Sequence, residues 1–134
     1  MNEFSGNLAV FCSDERFVPA TIDFLEKILK MERSDLFVLP GGPVFVIQSE
    51  PPLMSRLELL LKAHGIKKVA LIAHEDCGYY RNRYPELSPD EIRKRQISDL
   101  LMAAKILLDK GVNVSIFFAF FEGGKIFFRE IMTE

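Results

Sequence analysis

The sequence contains no tryptophan, only two cysteines and no apolar run long enough to cross a membrane. A membrane-spanning helix needs about 20 consecutive apolar residues, and the apolar runs of this chain are much shorter. The first residues also lack a cationic stretch followed by a longer apolar one, so we expect no signal peptide. Two cysteines without such a signal predict free thiols in a reducing compartment. We therefore expect a cytoplasmic protein that has no membrane partner.

The charge balance is not that of a nucleic-acid-binding protein. The formal net charge is −2, from 17 basic and 19 acidic residues, so no strongly basic surface for nucleic acid or anionic lipid is predicted. With 49% hydrophobic and 27% charged residues, the chain has an ordinary globular composition. A length of 134 residues suits one hydrophobic core. We therefore predict a single domain over residues 1–134.

Apolar strands alternate with amphipathic helices along the chain. The hydrophobic periodicity predicts strands at 7–12, 36–39, 67–73, 112–121 and 124–131, and helices at 21–30, 53–65 and 88–111. Ser88, Pro89 and Glu91 predict the start of the last helix. Strands separated by helices pair in parallel, whereas the tight turn at Gly123 and Gly124 reverses the chain. The predicted fold is α/β: a three-layer, mostly parallel sheet of about four parallel strands plus one antiparallel C-terminal edge strand, flanked by helices.

Phenylalanine is abundant, with 12 residues, and many of them lie in the last two predicted strands. Segments 116–121 and 126–128 read IFFAFF and IFF, so this hairpin is apolar on both faces. We expect one face to pack on the domain's own helices and the other on a second copy of the chain.

Cysteine and histidine side chains stand where two of the predicted strands end. Cys12 closes the first strand, and His74 and Cys77 follow the strand at 67–73. Ligands of open parallel sheets bind beyond the carboxyl ends of the strands, near the point where strand order reverses. Two thiolates and an imidazole are typical zinc ligands, and three protein ligands with an open fourth position are typical of a catalytic site. Buried apolar cysteines are the alternative, and the combination with His74 favours the metal.

Asp14 and Arg16 follow Cys12 closely and share one face of an extended segment. An arginine can bind a carboxylate through two parallel hydrogen bonds. Such a pair would hold Asp14 off the metal and leave room for a water whose hydrogen bond Asp14 accepts. Two alternatives stay open: a surface ion pair worth about 0–1 kcal/mol, and a carboxylate that itself takes the fourth metal position.

These motifs resemble those of the β-class carbonic anhydrases. Residues 12–16, CSDER, are similar to the family's Cys-x-Asp-x-Arg motif, and residues 74–78, HEDCG, to its His-x-x-Cys-Gly motif. The likeness covers most of the chain. It implies a β-carbonic anhydrase-like fold, zinc bound by Cys12, His74 and Cys77, and a catalytic Asp14–Arg16 dyad.

The resemblance also implies an activity and an assembly. The expected protein is a zinc lyase of the carbonate dehydratase type, in which a zinc-bound hydroxide hydrates carbon dioxide reversibly to bicarbonate. Carbon dioxide and bicarbonate are then the small-molecule partners, and the chain forms a homodimer or a higher homo-oligomer.

The chain departs from the family around the expected pocket. Residues 40–43 read PGGP where the family has an Arg-Asn-Ala-Gly-Asn-like loop, and Tyr79 and Tyr80 stand where small residues are common. Two proline residues remove backbone donors and fix the local path. The pocket wall is therefore expected to differ from that of the family.

Several other functions remain possible on the sequence alone. The protein could be a non-catalytic zinc-binding relative, or a hydrolase of carbonyl sulfide or carbon disulfide. A redox or phosphoryl-transfer protein is disfavoured, because neither a P-loop nor a dinucleotide-binding fingerprint is present. A disulfide between Cys12 and Cys77 would exclude zinc. His64, the only other histidine, is expected to be a solvated residue at a helix end.

Overall fold

A computed structural model describes residues 3–48 and 50–132. The ends of the predicted domain, residues 1 and 134, lie outside the described residues. All five predicted strands are present: β1 (Asn7–Phe11), β2 (Asp35–Val38), β3 (Lys68–His74), β4 (Asn113–Glu122) and β5 (Lys125–Ile131). The helices are α1 (Val18–Lys27), α2 (Pro51–Ala63), α3 (Gly78–Arg83) and α4 (Pro89–Leu108), with a 3₁₀ helix at Gly42–Val46. Within the described ranges, no helix is both long enough and apolar enough to span a bilayer.

The strands form one sheet in the order β2-β1-β3-β4-β5. The first four strands pair in parallel, and β5 pairs antiparallel with β4, which confirms the predicted fold class. The strand order reverses at β1, because the chain runs outward to β2 on one side and returns to β3 on the other. Phe11 and Ile72 are paired near the carboxyl ends of β1 and β3. Cys12 and His74 therefore stand side by side at the reversal point.

Helices cover both faces of the sheet. On one face, α2, α4 and the 3₁₀ helix pack against the sheet through a core that includes Phe45, Leu57 and Leu107. On the other face, α1 packs through Leu25 beside Phe17, which lies just before the helix. Strands that are buried on both faces must be apolar throughout. This is why β1 and β3 appear in the sequence as continuous apolar runs.

The predicted start of α4 is confirmed. The hydroxyl of Ser88 accepts a hydrogen bond from the Glu91 amide, and the Glu91 carboxylate accepts one from the Ser88 amide. This reciprocal capping satisfies two helix-terminal donors. It fixes the start of a 20-residue helix that packs on one face of the sheet.

The helix prediction was wrong in two details: the bounds of α1 and the absence of α3. The first helix was predicted at 21–30 but runs over Val18–Lys27, because Pro19 suits the first turn of a helix and Lys30 adopts a left-handed φ of 58°. Helix α3, with six residues, was missed because it is too short to show a helical period.

The phenylalanine-rich hairpin is covered on one face by the protein's own helix. The Phe128 ring stacks on Phe24 of α1, with ring centroids 4.2 Å apart. On the other face, Phe127 stacks on Phe120 and stays 43% exposed. The expected contact with a second copy of the chain stays a prediction.

Candidate metal centre

The structure brings Cys12, His74 and Cys77 together at the reversal point of the sheet. The two sulfur atoms and the histidine nitrogen all lie within 4.8 Å of one another. The three residues are buried, with exposed fractions of 9%, 3% and 2%, and both cysteines are free thiols. Two thiol sulfurs and one imidazole nitrogen thus lie close together in a buried position.

One nitrogen of the His74 ring is hydrogen-bonded, and the other is a buried acceptor without a partner. Its Nδ1 lies 2.7 Å from the carbonyl oxygen of Glu75, and since a carbonyl only accepts, Nδ1 carries the proton. Nε2 is buried and has no hydrogen-bond partner in the described part of the chain. Phe17 stacks on the ring, with centroids 4.3 Å apart. A buried polar atom without a partner requires an explanation, and a metal ion would provide one.

The Pro-Gly-Gly-Pro loop packs directly on Cys12. Gly42 has a φ of 54°, and a Cβ atom there would lie 2.9 Å from the backbone nitrogen of Cys12. A Cβ atom on Gly41, whose φ is 83°, would lie 2.9 Å from the Tyr79 ring. Both glycines are therefore required, because the backbone comes too close for a side chain. The loop that departs from the family pattern is a wall of the site.

We expect Gly42→Ala to destabilise the protein more than Gly65→Ala does. Gly65 has a similar φ of 60°, and a Cβ atom there would meet no described atom within 4 Å. Gly65→Ala thus measures the cost of the left-handed backbone alone, about 1–2 kcal/mol, whereas Gly42→Ala adds a clash with Cys12. Chemical denaturation of both variants measures the difference. Equal losses of stability would mean that the loop moves aside without cost.

The two thiols influence each other's protonation. The hydrogen bond with Cys77 lowers the pKa of Cys12, and His74 adds to this effect. The same contact with Cys12, together with burial, raises the pKa of Cys77. Backbone amides of Tyr79 and Tyr80 in the first turn of α3 act the other way and favour a thiolate at Cys77. Metal binding requires both cysteines as thiolates. The lowered pKa of Cys12 already favours the thiolate form of that residue.

Asp14 is held by Arg16 through several hydrogen bonds at once. The Arg16 Nε donates to both Asp14 oxygens at 3.1 and 3.2 Å, its Nη2 donates to Oδ2 at 2.7 Å, and its amide donates to Oδ1 at 2.9 Å. These bonds lower the pKa of Asp14 to about 2. Asp14 Oδ2 lies 3.8 Å from His74 Nε2. The carboxylate is therefore ionised, fixed in orientation and adjacent to the three candidate ligands.

Arg16 is itself anchored on the segment between His74 and Cys77. It donates to the Asp76 carboxylate and to the Asp76 carbonyl oxygen, both at 3.0 Å. Arg81 binds the other Asp76 oxygen at 3.1 Å. Asp76 has a φ of 55°, a left-handed conformation that aspartate tolerates better than most residues. The two motifs are thus joined by ion pairs as well as by the sheet.

Sequence reasoning missed two polar residues behind the site, Gln96 and Asp99. Gln96 Nε2 donates to the His74 carbonyl oxygen at 2.8 Å, and the Tyr80 hydroxyl donates to Asp99 Oδ2 at 2.7 Å. Gln96 and Asp99 are 2% and 5% exposed on the core-facing side of α4. Their position among buried apolar residues of a helix was the signal that would have indicated them.

His64 lies near the amino-terminal ends of the strands, whereas the site lies at their carboxyl ends. It follows α2, and its Nδ1 contacts the carboxylate of Asp35, the first residue of β2. Phe4 stacks on its ring at 3.8 Å. The expected helix-end position is confirmed, and the side chain is only partly solvated, with 27% of its surface exposed.

Comparisons with known proteins agree with this architecture. No family model matches the chain. A carbonic anhydrase from Streptococcus mutans superimposes with a TM-score of 0.64 at 13% identity, over 97% of this chain and 83% of that one. The β-carbonic anhydrase CafA of Aspergillus fumigatus gives 0.61 at 16% identity, over 96% and 76% of the two chains. This chain has the β-carbonic anhydrase fold. The predicted fold is thereby confirmed.

Two further comparisons bear on this fold. Two tetrameric β-carbonic anhydrases from Sordaria macrospora give a TM-score of 0.60 at 16% identity, over 96% of this chain and 81% of that one. An uncharacterised protein from Rickettsia bellii is 24% identical over 125 residues, which is 87% of this chain and 76% of that protein. The match thus covers 76–83% of these carbonic anhydrase chains.

Proposed function

We propose that this protein is a zinc enzyme that catalyses the reversible hydration of carbon dioxide to bicarbonate. The observation that carries the proposal is the buried, unpartnered Nε2 of His74, on a residue whose ligand atom lies within 4.8 Å of both cysteine sulfurs. Beside it stands Asp14, a carboxylate whose two oxygens are already bonded to Arg16. Three ligand atoms next to a restrained acceptor suit a catalytic metal site.

The residues present fit zinc in number, type and charge. Cys12, His74 and Cys77 would hold the ion, and two thiolates balance its charge while a neutral imidazole adds none. A tetrahedral zinc with these ligands spaces them by about 3.5–3.8 Å. Atoms already within 4.8 Å of one another need only small movements to reach that spacing. When bound, zinc would supply Lewis acidity that makes water a nucleophile near neutral pH.

Asp14 would orient the reacting water. Its pKa of about 2 keeps it ionised at neutral pH, so it accepts hydrogen bonds and cannot donate them. Arg16 occupies both carboxylate oxygens, which keeps Asp14 from turning towards the ligand atoms. Orientation of this kind lowers the barrier by holding the reactants in one geometry.

An apolar wall beside the dyad suits an uncharged substrate. The Phe17 ring covers His74 and contacts the Phe121 ring, with centroids 4.7 Å apart. Phe121 is 42% exposed and lies beside Arg16. Carbon dioxide is small, linear and nonpolar, so it can approach along these rings, while Arg16 favours the anionic product.

The proposal predicts one zinc per chain and measurable hydration of carbon dioxide at neutral pH. Elemental analysis of the purified protein gives the stoichiometry, and stopped-flow with a pH indicator gives the rate. Protein stripped by a chelator is the control, and it should regain activity when zinc is returned. The absence of zinc binding would contradict the proposal.

A non-catalytic zinc protein of the same fold is the second candidate. It is favoured by the 3.8 Å separation of Asp14 Oδ2 and His74 Nε2, which is short enough for Asp14 to join the ligand set. One zinc per chain without hydration would support this candidate. Carbonyl sulfide and carbon disulfide belong in the same assay, because the wall formed by residues 40–43 and Tyr79 differs from the family pattern.

We also propose a cytoplasmic homodimer or higher homo-oligomer. Exposed apolar side chains mark both edges of the sheet, with Leu36 and Val38 on β2 and Phe127 on β5. The Sordaria macrospora proteins of this fold are tetrameric. Edge strands with apolar side chains are commonly covered by a partner.

A further inference from the structure

Helix α4 carries two buried polar side chains directly behind the candidate metal centre. Gln96 and Asp99 are one helical turn apart and are 2% and 5% exposed. Their neighbours on the same face, including Ile92 and Leu100, are apolar and buried. Burying an amide or a carboxylate costs free energy unless its hydrogen bonds are satisfied. The hydrogen-bond partners of Gln96 and Asp99 explain why these polar side chains are buried there.

Gln96 fixes the end of strand β3. Its Nε2 donates a hydrogen bond of 2.8 Å to the carbonyl oxygen of His74. His74 is the last residue of β3, and the chain turns away immediately after it. Its ring is fixed at Nδ1 by the Glu75 carbonyl oxygen, 2.7 Å away. The backbone and the ring of the only imidazole in the site are therefore held from two sides.

Asp99 fixes helix α3. Its Oδ2 accepts a hydrogen bond of 2.7 Å from the hydroxyl of Tyr80, which is 3% exposed. Helix α3 begins at Gly78, directly after Cys77, so the position of the helix determines the position of Cys77. A helix of six residues does not hold itself in water. The buried hydrogen bond between Tyr80 and Asp99 holds α3 against α4.

We propose that Gln96 and Asp99 are positioning residues that hold His74 and Cys77 at the spacing required by the metal. Gln96 acts through the His74 carbonyl oxygen, and Asp99 acts through the Tyr80 hydroxyl. One rigid helix thereby sets the relative position of two ligands that lie on different segments. This inference rests on the proposed zinc site, and it concerns the strength and geometry of metal binding.

The test uses a double variant, Tyr80→Phe with Asp99→Leu. Removing both partners leaves no unsatisfied buried group, so the folded state should persist with an unfolding midpoint close to that of the wild type. The dissociation constant for zinc, measured by competition with a chelator, should rise about 10–100-fold. The absorption bands of the cobalt-substituted protein should change as well, because they report ligand geometry. A dissociation constant within twofold of the wild type would overturn the inference.

Matched controls separate positioning from stability. Ser88→Ala removes the cap of the same helix, so it should lower the unfolding midpoint and leave the zinc dissociation constant unchanged. Asp99→Asn keeps an oxygen that accepts the Tyr80 hydrogen bond, so its affinity should stay near that of the wild type. A loss in Asp99→Asn as large as in the double variant would overturn the positional explanation.

A second variant keeps the inference testable if the double variant does not fold. Gln96→Met has a similar size and removes only the bond to the His74 carbonyl oxygen, so its zinc dissociation constant should also rise. Wild-type protein that binds zinc without hydrating carbon dioxide would contradict the proposed activity and leave this inference standing. Wild-type protein that binds no zinc would overturn both.

Discussion

Cys77→Ser should leave the purified protein with much less than one zinc per chain. Cys77 supplies one of three candidate ligand atoms, and it is 2% exposed. A serine hydroxyl is a poor replacement, because zinc prefers thiolate sulfur. The loss of affinity should exceed the 10- to 100-fold change that is typical when only a hydrogen-bonding partner of a ligand is removed. Elemental analysis and chelator competition measure it.

The two histidines of the chain provide a matched pair for the same measurement. His74→Gln should lose zinc as Cys77→Ser does, whereas His64→Gln should bind zinc like the wild type. The His64 side chain is hydrogen-bonded to Asp35 at the start of β2, at the end of the strands that lies away from the site. Full zinc content in either Cys77→Ser or His74→Gln would remove that residue from the ligand set. Loss of zinc in His64→Gln would show that the assay reports general instability.

Arg16→Ala should abolish most of the hydration activity while the zinc content stays at one per chain. Without the Arg16 side chain, only the backbone amide of residue 16 still donates to Asp14, at Oδ1. Asp14 Oδ2 loses its partners on Arg16, and it already lies 3.8 Å from His74 Nε2. The carboxylate should then turn to the metal and take the position that water needs. We expect kcat/KM to fall about 100-fold or more, as misplacement of a reacting group commonly does. Stopped-flow kinetics with metal analysis on the same samples measures both quantities.

Two further arginine variants show whether orientation or charge is responsible. Arg16→Lys keeps the charge but loses the planar fork that binds both oxygens of Asp14, so most of the activity should still be lost. Arg81→Ala removes a neighbouring cation that binds Asp76 and is 60% exposed, and it should retain activity. Unchanged turnover in Arg16→Ala would show that Asp14 is not restrained by this pair.

The location of the site could be predicted because it depends on backbone topology. Apolar runs on both sides of amphipathic helices indicated a parallel sheet, and Cys12 and His74 stand where two of those runs end. Once the strands are parallel, their carboxyl ends must lie along one edge. The bidentate Asp14–Arg16 pair was predicted, and the structure contains it. The predicted extended segment was wrong, because residues 15–17 form a turn in which the Phe17 amide donates to the Asp14 carbonyl oxygen.

The surroundings of the site could not be predicted because they depend on tertiary contacts. Residues 40–43 were expected to alter the pocket wall, and only the structure shows that Gly42 packs on the Cys12 backbone. Gln96 and Asp99 lie at helical spacing among apolar residues of α4, which marks them as buried, but the sequence does not show which groups they bind. Asp76 was not singled out, although it binds Arg16 across the two motifs.

The strand order also bears on how the chain reaches its native state. Cys12 follows β1, and Cys77 follows β3, which returns to pair with β1 only after α1, β2 and α2 have been traversed. An ion that joins the two thiolates would act as a reversible cross-link closing that long loop. Cross-links of this kind stabilise a protein chiefly by reducing the freedom of its denatured chain. Acquiring the ion would then be coupled to folding, and it would come after the two central strands have met.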